Sequence, residues 1–326
     1  MNNLGGIFKF ELVENFGVLT PGYEDDFVDS YMTEQFKSQA KEYVRTHYNS
    51  GHCDKVIKDA LSAIKQEEPL PTQDFVILDV GSGAGASVFS LIKIFGRLPN
   101  VRIICSDLSL QMLSLLKQGL SEIDYACQID VLQLNAEQLD FHDASVDLVV
   151  GYAIAHHLYR PNAMFQHVAR VLKPGGHAVF MEPFENGNVI ISAAMELILS
   201  DPREEQIADN VKTFLRNIVE DRKARIGRDK SSELFKHLDD KWMFTRTYLA
   251  EGFPSERGSL HIASLHKPLR LFENQMAMLL SLGLSLQRNS LPEWAWQTIR
   301  TFDEAMSDDC KQDALIEGTI TFTKFP

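Results

Sequence analysis

FVILDVGSGAGASVFSLIKIF, residues 75–95, is the stretch that decides how this chain folds. Val76, Ile77, Leu78 and Val80 form a short, almost continuous apolar run, the pattern of a parallel strand buried on both faces. The run stops at Gly81-Ser82-Gly83-Ala84-Gly85, after which Val88, Leu91, Ile92 and Phe95 recur on one face of a helix. Strand, glycine turn and helix make a nucleotide-binding geometry. Glycines let the backbone turn tightly and come close to a ligand, and the first turn of a helix offers unpaired N–H groups. Asp79 is the odd member, a carboxylate at the end of a strand expected to be wholly buried.

Downstream the chain alternates as a βαβ fold does. Val101 to Ser106 is a second strand ending in Asp107, and Leu110 to Leu120 a helix with Met112, Leu113, Leu116 and Leu120 apolar. Ile129 to Leu134 is a third strand, closing in Asn135-Ala136-Glu137. Val146 to Tyr152 is a fourth, followed by Ala153-Ile154-Ala155-His156-His157. Pro161 suits a helix start, with Met164, Phe165, Val168, Val171 and Leu172 on its inner face. Lys173-Pro174-Gly175-Gly176 then turns into a fifth strand, His177 to Met181, ending in Glu182-Pro183. The alternation predicts an α/β fold with a doubly wound parallel sheet, whose ligands sit at the carboxyl ends of the strands. Those ends carry Asp79, Asp107, Asn135, Tyr152 and Glu182. Polar residues closing five apolar strands along one edge mark a ligand site.

The spacing Gly81-x-Gly83-x-x-Ala86 also fits a dinucleotide fingerprint, so the first turn alone leaves an NAD-dependent oxidoreductase open. The ordered set LDVGSGAG, SDLS with Met112, NAE, VDLVVGYAIAHHL and VLKPGG, over residues 74–183, resembles the UbiE-like (type 11) small-molecule branch of class I S-adenosylmethionine-dependent methyltransferases. A nicotinamide enzyme has no reason to share the NAE step or the LKPGG turn, so methyl transfer leads. The resemblance implies a Rossmann-like sheet of seven strands and S-adenosyl-L-methionine as cofactor. It puts Gly81 and Gly83 against the methionine portion, Asp79 near its ammonium group and Asp107 on both ribose hydroxyls. Leu108 and Met112 are then expected against the adenine. Asn135 stands where the family more often has Asp and bonds the adenine amino group, and Ala136 offers a backbone N–H. Tyr152 closes the cofactor set. His156 and His157 are the expected general base, His156 preferred, with Tyr152 and Glu182 as further pocket residues.

Outside this core the chain departs from a minimal methyltransferase. Residues 1–73 read as an N-terminal helical arm or lid, although Ile7 to Leu12 has the look of a short strand or irregular arm. The first helix, Thr33 to Tyr48, stops at Asn49-Ser50-Gly51, and a second, with Val56, Ile57, Ala60, Leu61 and Ile64, ends at Pro69 and Pro71. Residues 184–240 read as a helical insertion: Val189 to Leu199, Ile207 to Val219 and Ser232 to Leu238. Residues 241–265 resume the core with a last helix, Gly252-Phe253 and strand six at Ser259 to Leu265, preferred over Leu284 to Gln287. Residues 266–317 are a second helical insertion and 318–326 the closing strand. The N-terminal helices and the first insertion are expected to roof the acceptor, with Phe36 to Tyr48, Phe184 and Met195 lining it. The rival is a homodimer through the stripe Ile207, Val211, Phe214, Leu215 and Ile218.

A net charge of −13 disfavours a nucleic-acid partner, whose phosphates need a basic face. The densest basic run, Arg222 to Lys230, is diluted by acids and reads as a solvated helix face. The four scattered cysteines carry no metal-ligand spacing, so no metal and a cytoplasmic setting are expected. The start lacks a signal-peptide layout, and no apolar run reaches the roughly 20 residues of a membrane span. The expected partner is a small, largely apolar acceptor, with O-methylation slightly ahead of C- or N-methylation. The alternative from another class is a methyltransferase-like binding protein without turnover.

Overall fold

The computed structural model describes residues 6–326 apart from 16, 48, 49, 65–70, 72, 232–234 and 236. The expected stops at Asn49 and Pro69, and most of the helix expected at Ser232 to Leu238, lie outside the described residues. The chain divides into two compact units. One comprises residues 1–182, 246–262 and 319–326, the other 183–245 and 263–318.

The first unit holds the sheet. Its elements in chain order are β1 (Val13–Asn15), β2 (Val18–Thr20), α1 (Asp25–Tyr31), α2 (Ala40–His47) and α3 (Ser50–Ile64). Then come β3 (Phe75–Val80), α4 (Ala86–Phe95), β4 (Val101–Asp107), α5 (Leu110–Leu120), β5 (Gln128–Gln133) and β6 (Val146–Tyr152). After α6 (Pro161–Val171) and β7 (Leu172–Pro183), and following the second unit's first segment, come α9 (Arg246–Gly252), β8 (Gly258–Ser264) and finally β9 (Glu317–Lys324). The strand order is β1-β2-β5-β4-β3-β6-β7-β9-β8, and β5, β4, β3, β6 and β7 pair in parallel. The sheet is therefore α/β and doubly wound, with nine strands rather than the expected seven. The two extra strands form an antiparallel pair at the N-terminal edge, where Leu19 sits opposite Leu132 of β5. Three-residue strands are too short to show a period of two, and the expected Ile7 to Leu12 strand reduces to one bridge, Phe8 to Phe141.

On one face of the sheet Ile77, Ile103, Cys105, Leu148 and Val150 pack against Ile57 of α3, Leu91 and Phe95 of α4, and Leu113 and Leu116 of α5. Each such side chain contributes about 1.5–3 kcal/mol by leaving water. Elsewhere in the unit Phe253 lies 4.8 Å from Phe165 of α6 and 4.7 Å from Phe322 of β9. The Gly252-Phe253 turn ends α9, and β8 runs from Gly258 to Ser264, next to the expected Ser259 to Leu265. The expected turn Lys173 to Gly176 lies inside β7: Val146 pairs with Leu172 and Leu148 with His177, so the extra residues loop out of register.

The second unit contains α7 (Glu185–Ser200), α8 (Asp209–Arg225), α10 (Leu271–Leu284), α11 (Glu293–Ala305) and α12 (Asp308–Asp313). Its core joins Met195, Ile207, Val211 and Leu215 to Phe272, Met276, Trp296 and Ile299. This corrects two expectations. The stripe proposed for a homodimer is covered within the unit, with Phe214 and Ile218 packed against the same core, and Met195 is a core residue at 0% exposure. The basic run is solvated only in part: Lys223 and Arg228 are exposed, but Arg222 and Arg225 are 6% and 8% exposed. Among the described residues no helix is long and apolar enough to cross a membrane.

Candidate active site

The site lies at the carboxyl ends of β3 to β7, entirely within the first unit. Asp79, in the last turn of β3, is fully buried. Its Oδ2 accepts from Ser87 Oγ at 2.8 Å, while Oδ1 has no hydrogen-bond partner among the described residues. Burial pushes its pKa from 3.8 to about 6, against the opposing bonds from Ser82 and Ser87, and nearby Asp107 adds to the rise.

The glycine turn that follows is left-handed, with φ of 70° at Gly81 and 50° at Gly83. A Cβ on Gly81 would lie 2.4 Å from Ile154, so that glycine is fixed by packing. A Cβ on Gly83 would meet nothing within 4 Å. The space in front of Gly83 is open. Gly83 N donates to Asp107 Oδ2 at 2.9 Å, and Ser109 N donates to Asp107 Oδ1 at 2.8 Å, so the carboxylate closing β4 is oriented by the turn beside it. Burial raises the Asp107 pKa, opposed by the N–H groups of Ser109, Gly83 and Leu108. Each oxygen keeps a second lone pair.

Leu108 is half-buried and Met112 is 2% exposed, in the first turn of α5. Past β5, Asn135 and Ala136 are buried, and Asn135 Oδ1 accepts from Glu137 N at 2.9 Å. Glu137 is a residue that the motif letters contained without a role. Its buried carboxylate accepts from Arg160 N and Nε, both at 2.8 Å, tying the loop after β5 to the start of α6. An acid three places past Leu134, the end of the expected apolar strand, is the signal in the sequence.

After β6 the chain reverses at Ala153, a non-glycine residue at φ 56°, into a 3₁₀ turn over Ala155–His157. Tyr152 is half-buried, its ring 6.3 Å from that of His52. Glu182, at the end of β7, is 0% exposed and so does not line an open cleft. Its Oε1 accepts from Ile154 N and Ala155 N at 3.0 and 2.7 Å, and its Oε2 from His156 N at 3.2 Å. The same Oε2 lies 2.6 Å from His156 Nδ1. The His157 ring lies tilted against that of His156, with centroids 4.1 Å apart.

The N-terminal segment runs along this edge. Thr20 Oγ1 donates to Gln133 Oε1 at 2.9 Å, and Tyr23 OH accepts from Asn135 N at 3.1 Å. Tyr23 stacks on Phe27 at 5.2 Å, Phe27 meets Tyr31 tilted at 5.0 Å, and Tyr31 meets Tyr159 edge-on at 5.7 Å. Phe36 O accepts from Ser109 Oγ at 2.6 Å, and its ring lies 5.1 Å from that of His157. Every candidate site residue therefore belongs to one edge of one unit.

The open front of Gly83, the orphaned Asp79 oxygen and the oriented Asp107 are what a ligand with an ammonium group and a hydroxylated ribose needs. Comparison with known proteins agrees. Residues 78–180 match the family described as "Methyltransferase domain", type 11. The ubiquinone/menaquinone biosynthesis C-methyltransferase UbiE of Hahella chejuensis is 31% identical over 124 residues, 37% of this chain and 48% of that protein. The malonyl-[acyl-carrier protein] O-methyltransferase of a Marinomonas species is 33% identical over 129 residues, 39% of this chain and 43% of that protein. The chain spans less than half the length of either relative. Among solved structures, a methyltransferase in complex with the Haloferax volcanii Trm112 methyltransferase activator aligns with a TM-score of 0.50 at 16% identity, covering 91% of this chain and 97% of that one, a likeness of fold. Motif order, strand order and family match together make residues 78–180 similar to the type 11 methyltransferase domain, a family of class I enzymes that use S-adenosyl-L-methionine, with UbiE among its relatives.

Proposed function

We propose that the protein methylates a small, largely apolar molecule held between the carboxyl ends of β3 to β7 and the aromatic N-terminal segment. Asp79 would face the cofactor's ammonium group, Gly81 and Gly83 its methionine portion and Asp107 its ribose hydroxyls. Leu108, Met112, Asn135, Ala136 and Tyr152 would surround the rest. When bound, the cofactor supplies a methyl group already activated on a sulfonium, so the protein's work is to position the acceptor and keep water out.

The observation that carries the mechanism is the pair formed by Glu182 and His156. A buried carboxylate held by three backbone N–H groups cannot turn away, and it faces Nδ1 at 2.6 Å. It therefore favours the tautomer with the proton on Nδ1 and the lone pair on Nε2. In this reading Nε2 takes the proton from an acceptor hydroxyl as the methyl moves, and Glu182 stabilises the imidazolium that results. Glu182 is thus a positioning residue rather than a pocket wall. His157, braced between His156 and Phe36, is assigned to shaping the acceptor side. A base suited to a hydroxyl keeps O-methylation slightly ahead of C- or N-methylation; the named relatives include one carbon and one oxygen enzyme.

The test is transfer of labelled methyl from S-adenosylmethionine into fractions of a low-molecular-weight extract. Label is expected in an apolar small molecule. His156→Ala should lower that turnover about 10²–10⁴-fold, the usual loss on removing a general base, with the affinity for S-adenosylhomocysteine nearly unchanged. Glu182→Gln should lower it less and shift the pH profile. Tight binding of NADH with none of S-adenosylhomocysteine, or label transfer that survives in His156→Ala within a few-fold, would sink the reading or its base.

A further inference from the structure

On α8 the residues Val211, Leu215, Val219, Arg222 and Arg225 follow one another at helical spacing and are all buried. The stripe that begins as core thus ends as two guanidinium groups, 6% and 8% exposed. Arg222 Nη1 and Arg225 Nε are buried and have no hydrogen-bond partner among the described residues. Arg225 is compensated elsewhere, through Nη1 at 3.1 Å from Asp221 and 3.2 Å from Asp240. The Arg222 guanidinium is not: among the described residues it makes neither a hydrogen bond nor an ion pair, and only the charge of Asp221 nearby favours it.

More positive charge lies alongside. Lys230 Nζ donates to Arg225 O at 2.7 Å and Ile226 O at 3.3 Å, and sits 4.4 Å from the ring of Trp242 and 5.3 Å from that of Phe235. The nearby Glu185 is engaged, its Oε2 accepting from Gly227 N at 2.8 Å. A buried guanidinium without a hydrogen-bonded partner is costly, and Arg225 beside it adds repulsion that the charge of Asp221 only partly offsets. Burial lowers the Arg222 pKa to about 10, which still leaves it charged at neutral pH. Another cation would make matters worse and an apolar ligand would leave the donors unpaired. An anion satisfies both needs. Guanidinium forks recognise carboxylate and phosphate oxygens in particular.

We propose that the helical unit holds an anion site in which Arg222, with Arg225 Nε, binds a phosphate or carboxylate group. The site belongs to residues 183–245 and does not depend on the methyl-transfer assignment.

The experiment is titration calorimetry of the full chain with inorganic phosphate, phenyl phosphate and acetate at constant ionic strength. Saturable binding of at least one is expected. Arg222→Met should weaken it tenfold or more, and Arg222→Lys, which keeps the charge but loses the fork, by less. Removing a buried charge that no ion pair holds should leave the Arg222→Met thermal midpoint in anion-free buffer at or above the parent's, and an unchanged far-ultraviolet helix signal shows the helical unit is folded. Phenyl phosphate at least tenfold tighter than phosphate assigns the anion to an apolar molecule. Equal affinities assign free phosphate, and acetate alone a carboxylate. No saturable heat with any probe, unchanged affinity in Arg222→Met, or a lowered anion-free midpoint in that variant overturns the site.

Discussion

Asp79 is an acid buried with one oxygen unpartnered, and its titration can report what the site binds. Its folded pKa is raised to about 6, so between roughly pH 4 and pH 6 the native chain holds a proton that the unfolded chain releases. This contribution to stability is present below the ordinary carboxylate pKa and is lost as pH rises through about 6. Above that, the ionised form costs about 3 kcal/mol, from a shift near two units. An ammonium group brought beside Asp79 reverses the shift. S-adenosylhomocysteine binding at pH 5.5 should therefore release up to one proton and strengthen towards pH 7, which calorimetry in two buffers of different ionisation enthalpy will read. No proton release would move the ammonium group away from Asp79. Asp107→Ala should weaken the same binding by about 1–3 kcal/mol, the loss of charge-assisted hydrogen bonds. Both carboxylates were legible in the sequence because an acid ending an apolar strand contradicts its surroundings. Arg222 was not, because a run of charges read as composition hides which members continue a helical stripe. The spacing from Leu215 and Val219 to Arg222 and Arg225 was the signal.

Among the elements, α5 shows how one hydroxyl can serve two segments. Ser109 Oγ caps the helix by accepting from Met112 N at 3.1 Å and donates to Phe36 O at 2.6 Å. Ser109→Ala removes both bonds and should cost about 1 kcal/mol, the usual worth of an N-cap, seen in the thermal midpoint. It should also release the segment around residue 36, so amide exchange there should quicken; unchanged exchange would mean that the Phe36 ring, not the hydroxyl, holds the segment. The central strands and their helices could be read in advance because parallel strands buried on both faces leave unbroken apolar runs. β1 and β2 could not, since their pairing with β5 is set by the sheet edge rather than by their own pattern. The same holds for Ala153, whose left-handed backbone follows from Glu182 gathering the N–H groups of the next turn. Nothing in the letters Gly151 to His157 announces it.

At the scale of the molecule, two cores divide the work. Every candidate residue of the methyltransferase site lies in the first unit, while the second is built from two chain segments that share one apolar core. An amphipathic stripe shows that a helix face will be covered but not by what, and so Ile207 to Ile218 served equally well for a dimer on paper. The partners turned out to be Phe272, Met276 and Trp296, more than fifty residues further along by direct count of the chain. Trp296 anchors that core at 2% exposure, with Nε1 donating to Arg288 O at 2.8 Å. Trp296→Ala removes one of the largest buried side chains and should cost the helical unit about 3–5 kcal/mol. Since none of the first unit's site residues belongs to this core, affinity for S-adenosylhomocysteine at low temperature should stay within a few-fold of the parent. The melt should then split, with an early transition insensitive to S-adenosylhomocysteine and a later one that the ligand raises. A single transition that the ligand shifts as a whole would mean the two cores unfold as one, and the anion site and the methyl-transfer site would then be coupled through stability.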